Sequence, residues 1–172
     1  ITLWGRSYGS HLALATLRRH SEVIERVIVG NPEGPNDTFK LPSRVDAVLE
    51  KYDARSPGLI ATMRKVLDRL DREPQVLDGV AIGKFDLQLL TAQALGDPRT
   101  AATLPDAYRE MERGDFHRVA QLARMQRARM GVQSAMKWMM DLSSGATAAR
   151  RAQIEREAAS SILGNAINFP QF

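Results

Sequence analysis

Ile1-Thr2-Leu3-Trp4-Gly5-Arg6-Ser7-Tyr8-Gly9-Ser10 is the stretch whose reading decides the fold. Its centre spells Gly-x-Ser-x-Gly, with an apolar run before it and an amphipathic run from Ser10 to Arg19 after it. Strand, tight turn and helix in that order form the setting of a nucleophile elbow. The serine sits on a bend that only small neighbours permit, and a side chain at Gly5 or Gly9 is expected to collide with the adjoining strand and helix. Such a bend thrusts Oγ out of the sheet and aims the next backbone N–H at the position of an oxyanion. Ser7 is therefore the candidate nucleophile, and Tyr8 the candidate oxyanion donor through its N–H.

Outward from the elbow, residues 1–32 alternate in the α/β manner. A strand at Ile1–Trp4 is followed by a helix at Tyr8–Arg19 and a second strand at Arg26–Gly30. Leu12, Ala13, Ala15, Thr16 and Leu17 give the helix an apolar flank. Val27-Ile28-Val29 is short, β-branched and continuous, as suits a parallel strand covered on both faces. Strand, helix and strand predict a crossover unit of two parallel strands. Two strands do not make a sheet, so their open edges are expected to associate or misfold without neighbours.

Past the turn-rich Asn31-Pro32-Glu33-Gly34-Pro35-Asn36-Asp37 the pattern becomes helical. Val45, Val48, Leu49 and Tyr52 fall at helical spacing behind Ser43, read as an N-cap. Leu59, Ile60, Met63, Val66, Leu67 and Leu70 form the cleanest stripe, bounded by Pro57 and Pro74. Residues 75–82 read as a short strand or an extended link. Helices are predicted at Asp86–Leu95, Pro105–Arg113, Phe116–Met130, Gln133–Leu142 and Ala148–Leu163, with Asp115 capping the third and Gly164-Asn165 stopping the last.

Composition narrows the function classes. The 172 residues are 44% hydrophobic and 26% charged, with no cysteine, so disulfides and thiolate metal sites are excluded. No apolar run approaches the ~18 residues of a membrane span. The net charge of +4 invites a nucleic-acid reading, with Arg118, Arg124, Arg127 and Arg129 close together and Arg150 beside Arg151. Aromatics do not interleave with these arginines, which removes the stacking platform of single-strand binders. Solvated faces of amphipathic helices account for them, and neither nucleic acid nor membrane is expected as a partner.

Four stretches carry a resemblance to a known family. They are Trp4–Ser10 with the Leu12–Ala15 helix, Val29-Gly30-Asn31-Pro32-Glu33-Gly34-Pro35, Met111-Glu112-Arg113-Gly114-Asp115-Phe116, and Gly164-Asn165-Ala166-Ile167-Asn168-Phe169-Pro170. Together they resemble the α/β-hydrolase superfamily, and within it the prolyl-iminopeptidase/tripeptidyl-aminopeptidase branch of serine peptidases. The resemblance implies part of an α/β-hydrolase core at residues 1–32, a mainly helical lid at 33–167, and a return to the core at 168–172. It also implies the chain order Ser, Asp, His for the triad. On that expectation this chain holds the nucleophile and the lid, needs core segments on both sides, and is inactive alone.

The remaining candidates divide between function and plain structure. His11 lies on the elbow helix, His20 ends it, and His117 starts a helix of the lid, so surface or capping roles are the default for all three. Glu33 and Asp37 follow the C-terminal end of a parallel strand, where α/β sheets place their chemistry. Three readings stay open for them: turn formation, the triad acid, and, for Glu33, a hold on a substrate's free ammonium group. Met136, Trp138, Met139 and Met140 make an apolar patch that packs lid helices or walls a pocket. With no cysteine and three scattered histidines no metal site is expected, and no cofactor. The expected activity is release of N-terminal residues or short peptides through an acyl-enzyme on Ser7, with a peptide or small molecule as substrate. An esterase or amidase on small acyl substrates and a non-catalytic helical interaction module are the alternatives. The compartment is left open.

Overall fold

The computed structural model describes residues 1–130 and 135–169 and is a mixed α/β chain. The described residues fall into two compact units, one of 1–40 with 135–153, the other of 41–130 with 154–169. The first therefore takes in the loop after residue 32 and a later helical segment, as well as the strand–helix–strand.

In the first unit β1 (Thr2–Arg6), α1 (Tyr8–Arg19) and β2 (Arg26–Gly30) follow the apolar runs. The strands pair in parallel, with Thr2 opposite Arg26 and Arg6 opposite Gly30, and α1 packs on both. This parallel sheet has two strands, and a full α/β-hydrolase core is not shown among the described residues. Its cover is thin. Ala13 and Phe39 are the buried apolar side chains of this unit among the described residues, while Trp4 is 83% exposed and Ile28 and Val29 also face solvent. Parallel strands are ordinarily covered on both faces, so these side chains mark surface suited to burial.

The second unit carries the larger core. Helices α2 (Pro42–Arg55) and α3 (Leu59–Arg72) precede a hairpin of β3 (Gln75–Leu77) and β4 (Val80–Ile82). Helices α4 (Lys84–Ala94), α5 (Pro98–Ala101), α6 (Leu104–Glu112) and α7 (His117–Met130) follow. Helix α8 (Ala135–Ser144) belongs to the first unit, and α9 (Ala148–Ala158) contributes residues to each. The stripe of α3 buries Met63, Val66, Leu67 and Leu70 against Leu49, Leu104, Tyr108 and Met111. Thr91 Oγ1 donates to the Leu87 carbonyl at 2.7 Å, so the Tyr108 hydroxyl donates to Thr91, also at 2.7 Å. Burial pushes the Tyr108 phenol well above its ordinary range, which keeps it a neutral donor.

Four local expectations are corrected. Ser43 is not an N-cap: it lies inside α2, which begins two residues earlier than that cap implies, with Pro42 at its first position and Leu41 before it. Residues 75–82 are a hairpin, because Asp78 (φ 50°) and Gly79 (φ 75°) both take the left-handed backbone that a two-residue turn requires. Helix α9 stops at Ala158, short of Leu163, because the Asp46 carboxylate takes the Ile162 N–H at 3.2 Å and the Ser161 hydroxyl at 3.0 Å. The arginines are not simply solvated. Arg124 donates to the Asp78 carbonyl at 2.8 Å, Arg127 pairs with Asp86 at 2.6 Å, and Arg150 donates to the Phe39 carbonyl at 3.1 Å.

Candidate active site

Ser7 stands between β1 and α1 with φ 53° and ψ −125°. A non-glycine residue at positive φ costs of order 1–3 kcal/mol and persists only where its surroundings hold it. Here the hold is visible. The Ser7 N–H donates to the Gly30 carbonyl at 3.0 Å, extending the β1–β2 ladder into the turn. The Ser7 carbonyl accepts both the Ser10 N–H at 2.8 Å and the Ser10 hydroxyl at 2.6 Å. Gly5 makes the bend possible. A Cβ at residue 5 would lie 2.1 Å from the Gly9 carbonyl oxygen, backbone against backbone. The expected collision at Gly9 does not occur, since a Cβ there meets nothing within 4 Å among the described residues.

The hydroxyl of Ser7 is exposed and makes no hydrogen bond among the described residues. Tyr8 and Gly9 are the first residues of α1, so their N–H groups have no intrahelical acceptor, and none is supplied by the described residues. Two free donors and the positive end of a helix thus follow directly on the serine. That arrangement can stabilise an oxyanion formed at the serine.

Ser10 is the residue that the motif did not single out. It is fully buried, and besides bonding Ser7 its Oγ accepts the Glu33 N–H at 2.9 Å. One hydroxyl therefore ties the elbow to the loop that leaves β2. A serine in the first turn of a helix, free to bond local backbone, was the available signal.

Glu33 lies on that loop at the carboxyl end of the parallel pair, the same end as Ser7. Its Oε1 accepts the Lys40 ammonium at 2.9 Å, with a quarter of the Glu33 side chain (26%) still exposed. Lys40 also donates to the Asp37 carbonyl, and Arg150 bonds the Asp37 carboxylate at 3.2 Å. Glu33 thus already holds an ammonium group, and Asp37 is engaged by a guanidinium.

No histidine bonds Ser7 among the described residues. The His11 ring stacks on Tyr8, with centroids 6.2 Å apart and planes 4° from parallel, and its buried Nδ1 has no partner among the described residues. His20 lies 3.8 Å from Glu22. His117 Nδ1 lies 3.1 Å from Asp115, whose carboxylate also accepts the His117 N–H at 3.1 Å, the expected cap of α7. Met136 and Trp138 lie outside the residues whose side chains are described; Met139 is largely exposed. Among the described residues no group of His, Asp and Glu is arranged to hold a metal, and no helix is long and apolar enough to cross a membrane.

The Asp115 cap has a pH signature. The His117 backbone N–H, and secondarily its imidazole, hold the Asp115 carboxyl below its ordinary 3.8. A carboxyl depressed on folding contributes stability that is present above the unfolded value and lost as pH falls through the folded one. A carbon-detected titration of Asp115 is expected to give a midpoint below 3.8. His117→Ala, which keeps the backbone donor, should raise that midpoint only part of the way; a full return would assign the effect to the imidazole.

Comparison with protein-family models, curated proteins and solved structures gave no match to this chain.

Proposed function

We propose that the chain is the nucleophile-bearing part of an α/β-type serine hydrolase, acting on the N-terminal end of peptides. The single observation that carries the reading is the backbone of Ser7: φ 53°, ψ −125°, at the end of a parallel strand and the start of a helix. Strain of that kind on a serine is difficult to attribute to packing, because the side chain points into solvent. Exposed apolar residues on both strands support the further reading that a larger sheet flanks them, with residues 33–167 as the lid.

In this reading Ser7 Oγ attacks the scissile carbonyl as its proton passes to a histidine supplied by polypeptide outside these residues. The new oxyanion is received by the Tyr8 N–H. The leaving amine takes the proton, and water then releases the acyl group from Ser7 by the same route in reverse. Glu33, which holds the Lys40 ammonium, is the carboxylate offered to a substrate's free amino group, displacing Lys40.

Substrate pairs test this in the protein expressed with its flanking sequence. An aminoacyl-arylamide is expected to turn over, its N-acetylated form at least tenfold less well, and Glu33→Gln should remove that preference. Rapid hydrolysis of a simple aryl ester with neither arylamide touched would instead establish the esterase alternative. Equal turnover of free and acetylated arylamides would end the aminopeptidase reading.

A further inference from the structure

The helical unit contains a cavity of about 340 Å³ between α4, α5, α6 and α7, a size ordinary for small-molecule sites. Its walls include Leu87, Leu90, Leu104, Met111, Val119 and Leu122. Four hydroxyl-bearing side chains are also among its walls, and each donates its proton inside the protein. Thr91 bonds the Leu87 carbonyl and Tyr108 bonds Thr91. Thr100 bonds the Ala94 carbonyl at 2.6 Å and Thr103 the Thr100 carbonyl at 2.9 Å. The lining side chains that still offer N–H groups are Gln93 and Arg118. Arg118 is exposed and has no ion pair among the described residues, whereas Arg124, Arg127 and Arg150 of the same arginine-rich sequence are all engaged.

From this lining we infer that the cavity binds a straight-chain aliphatic carboxylate, its chain among the leucines and its carboxylate on Arg118. The apolar walls disfavour a body rich in hydrogen-bond acceptors, because each hydroxyl proton of the lining is already committed. A single guanidinium on the lining matches one planar carboxylate, which its fork of N–H donors grips at two oxygens. The chemistry is independent of Ser7 and of the hydrolase reading.

Titration of the full chain with hexanoate, octanoate and decanoate, below their micelle concentrations, tests the inference. Binding at one molar equivalent is expected, tightening roughly fourfold per added methylene until the cavity fills. Octanol should bind about tenfold more weakly than octanoate, and Arg118→Met should bring octanoate down to the octanol level without altering the fold, since residue 118 is exposed. Ala107→Phe, directed into the cavity from α6, should abolish binding of acid and alcohol alike. No saturable binding of any acid by the wild-type chain overturns the proposal. So does acid binding that survives both substitutions. Octanol binding as tight as octanoate assigns an apolar cavity without the anion site, and overturns the role of Arg118.

Discussion

Replacing Gly5 by alanine is expected to destabilise the first unit by roughly 3 kcal/mol, the upper end of what overpacking ordinarily costs. The reason is geometric: the new Cβ would stand 2.1 Å from the Gly9 carbonyl oxygen and 2.8 Å from the Ser10 nitrogen. Both are backbone atoms of α1, so no rotamer can relieve them, and either the strand or the helix must move. Moving the helix breaks the bonds through Ser10 that hold Ser7 in its positive-φ conformation. Gly9→Ala is the control. Its Cβ meets nothing within 4 Å among the described residues, and a helical glycine replaced by alanine should gain about 0.5–1 kcal/mol. Hydrogen exchange at the β1 and β2 amides checks both, with faster exchange in the first variant and slower in the second. Equal behaviour of the two would show that the elbow is not held by close approach at Gly5.

The second large effect concerns chemistry. Ser7→Ala in the protein with its flanking sequence should lower kcat by about 10⁵–10⁶, comparable to loss of a nucleophile in a serine protease. On the proposed mechanism KM should change little, because the Tyr8 N–H and Glu33 remain. Ser10→Ala should act differently. It leaves the nucleophile but frees the Ser7 carbonyl and the Glu33 amide from the hydroxyl that joins them. We expect kcat to fall about a hundredfold through misplacement, with the buried-partner loss showing as lower thermal stability as well. The 172-residue chain alone should turn over nothing, since among the described residues no histidine bonds Ser7.

Much of this was legible because the decisive signals are local. Gly5, Ser7 and Gly9 announce a bend, and α1 and β2 begin and end where the apolar pattern places them. Strong period-3.6 stripes fix helices such as α3 almost as well. The failures have a common physical cause, a partner distant in sequence. Asp46 ends α9 from over a hundred residues away, and periodicity along 148–163 carries no trace of it. Asp53 caps α3 by accepting the Ile60 N–H at 2.9 Å, a role that its place inside α2 conceals. The engaged arginines are hidden for the same reason. Ser10 and the Asp78-Gly79 turn are different, for both signals stood in the sequence: a serine in a first helical turn, and a dipeptide suited to two positive φ angles.

Labelling with a fluorophosphonate probe tests the central claim most directly, because such probes react with a serine only when its hydroxyl is activated. Applied to the protein with its flanking sequence, followed by peptide mapping, it should place one adduct on Ser7 and none in Ser7→Ala. An unlabelled Ser7 in folded, full-length protein, or an adduct on another serine that survives Ser7→Ala, would contradict the account.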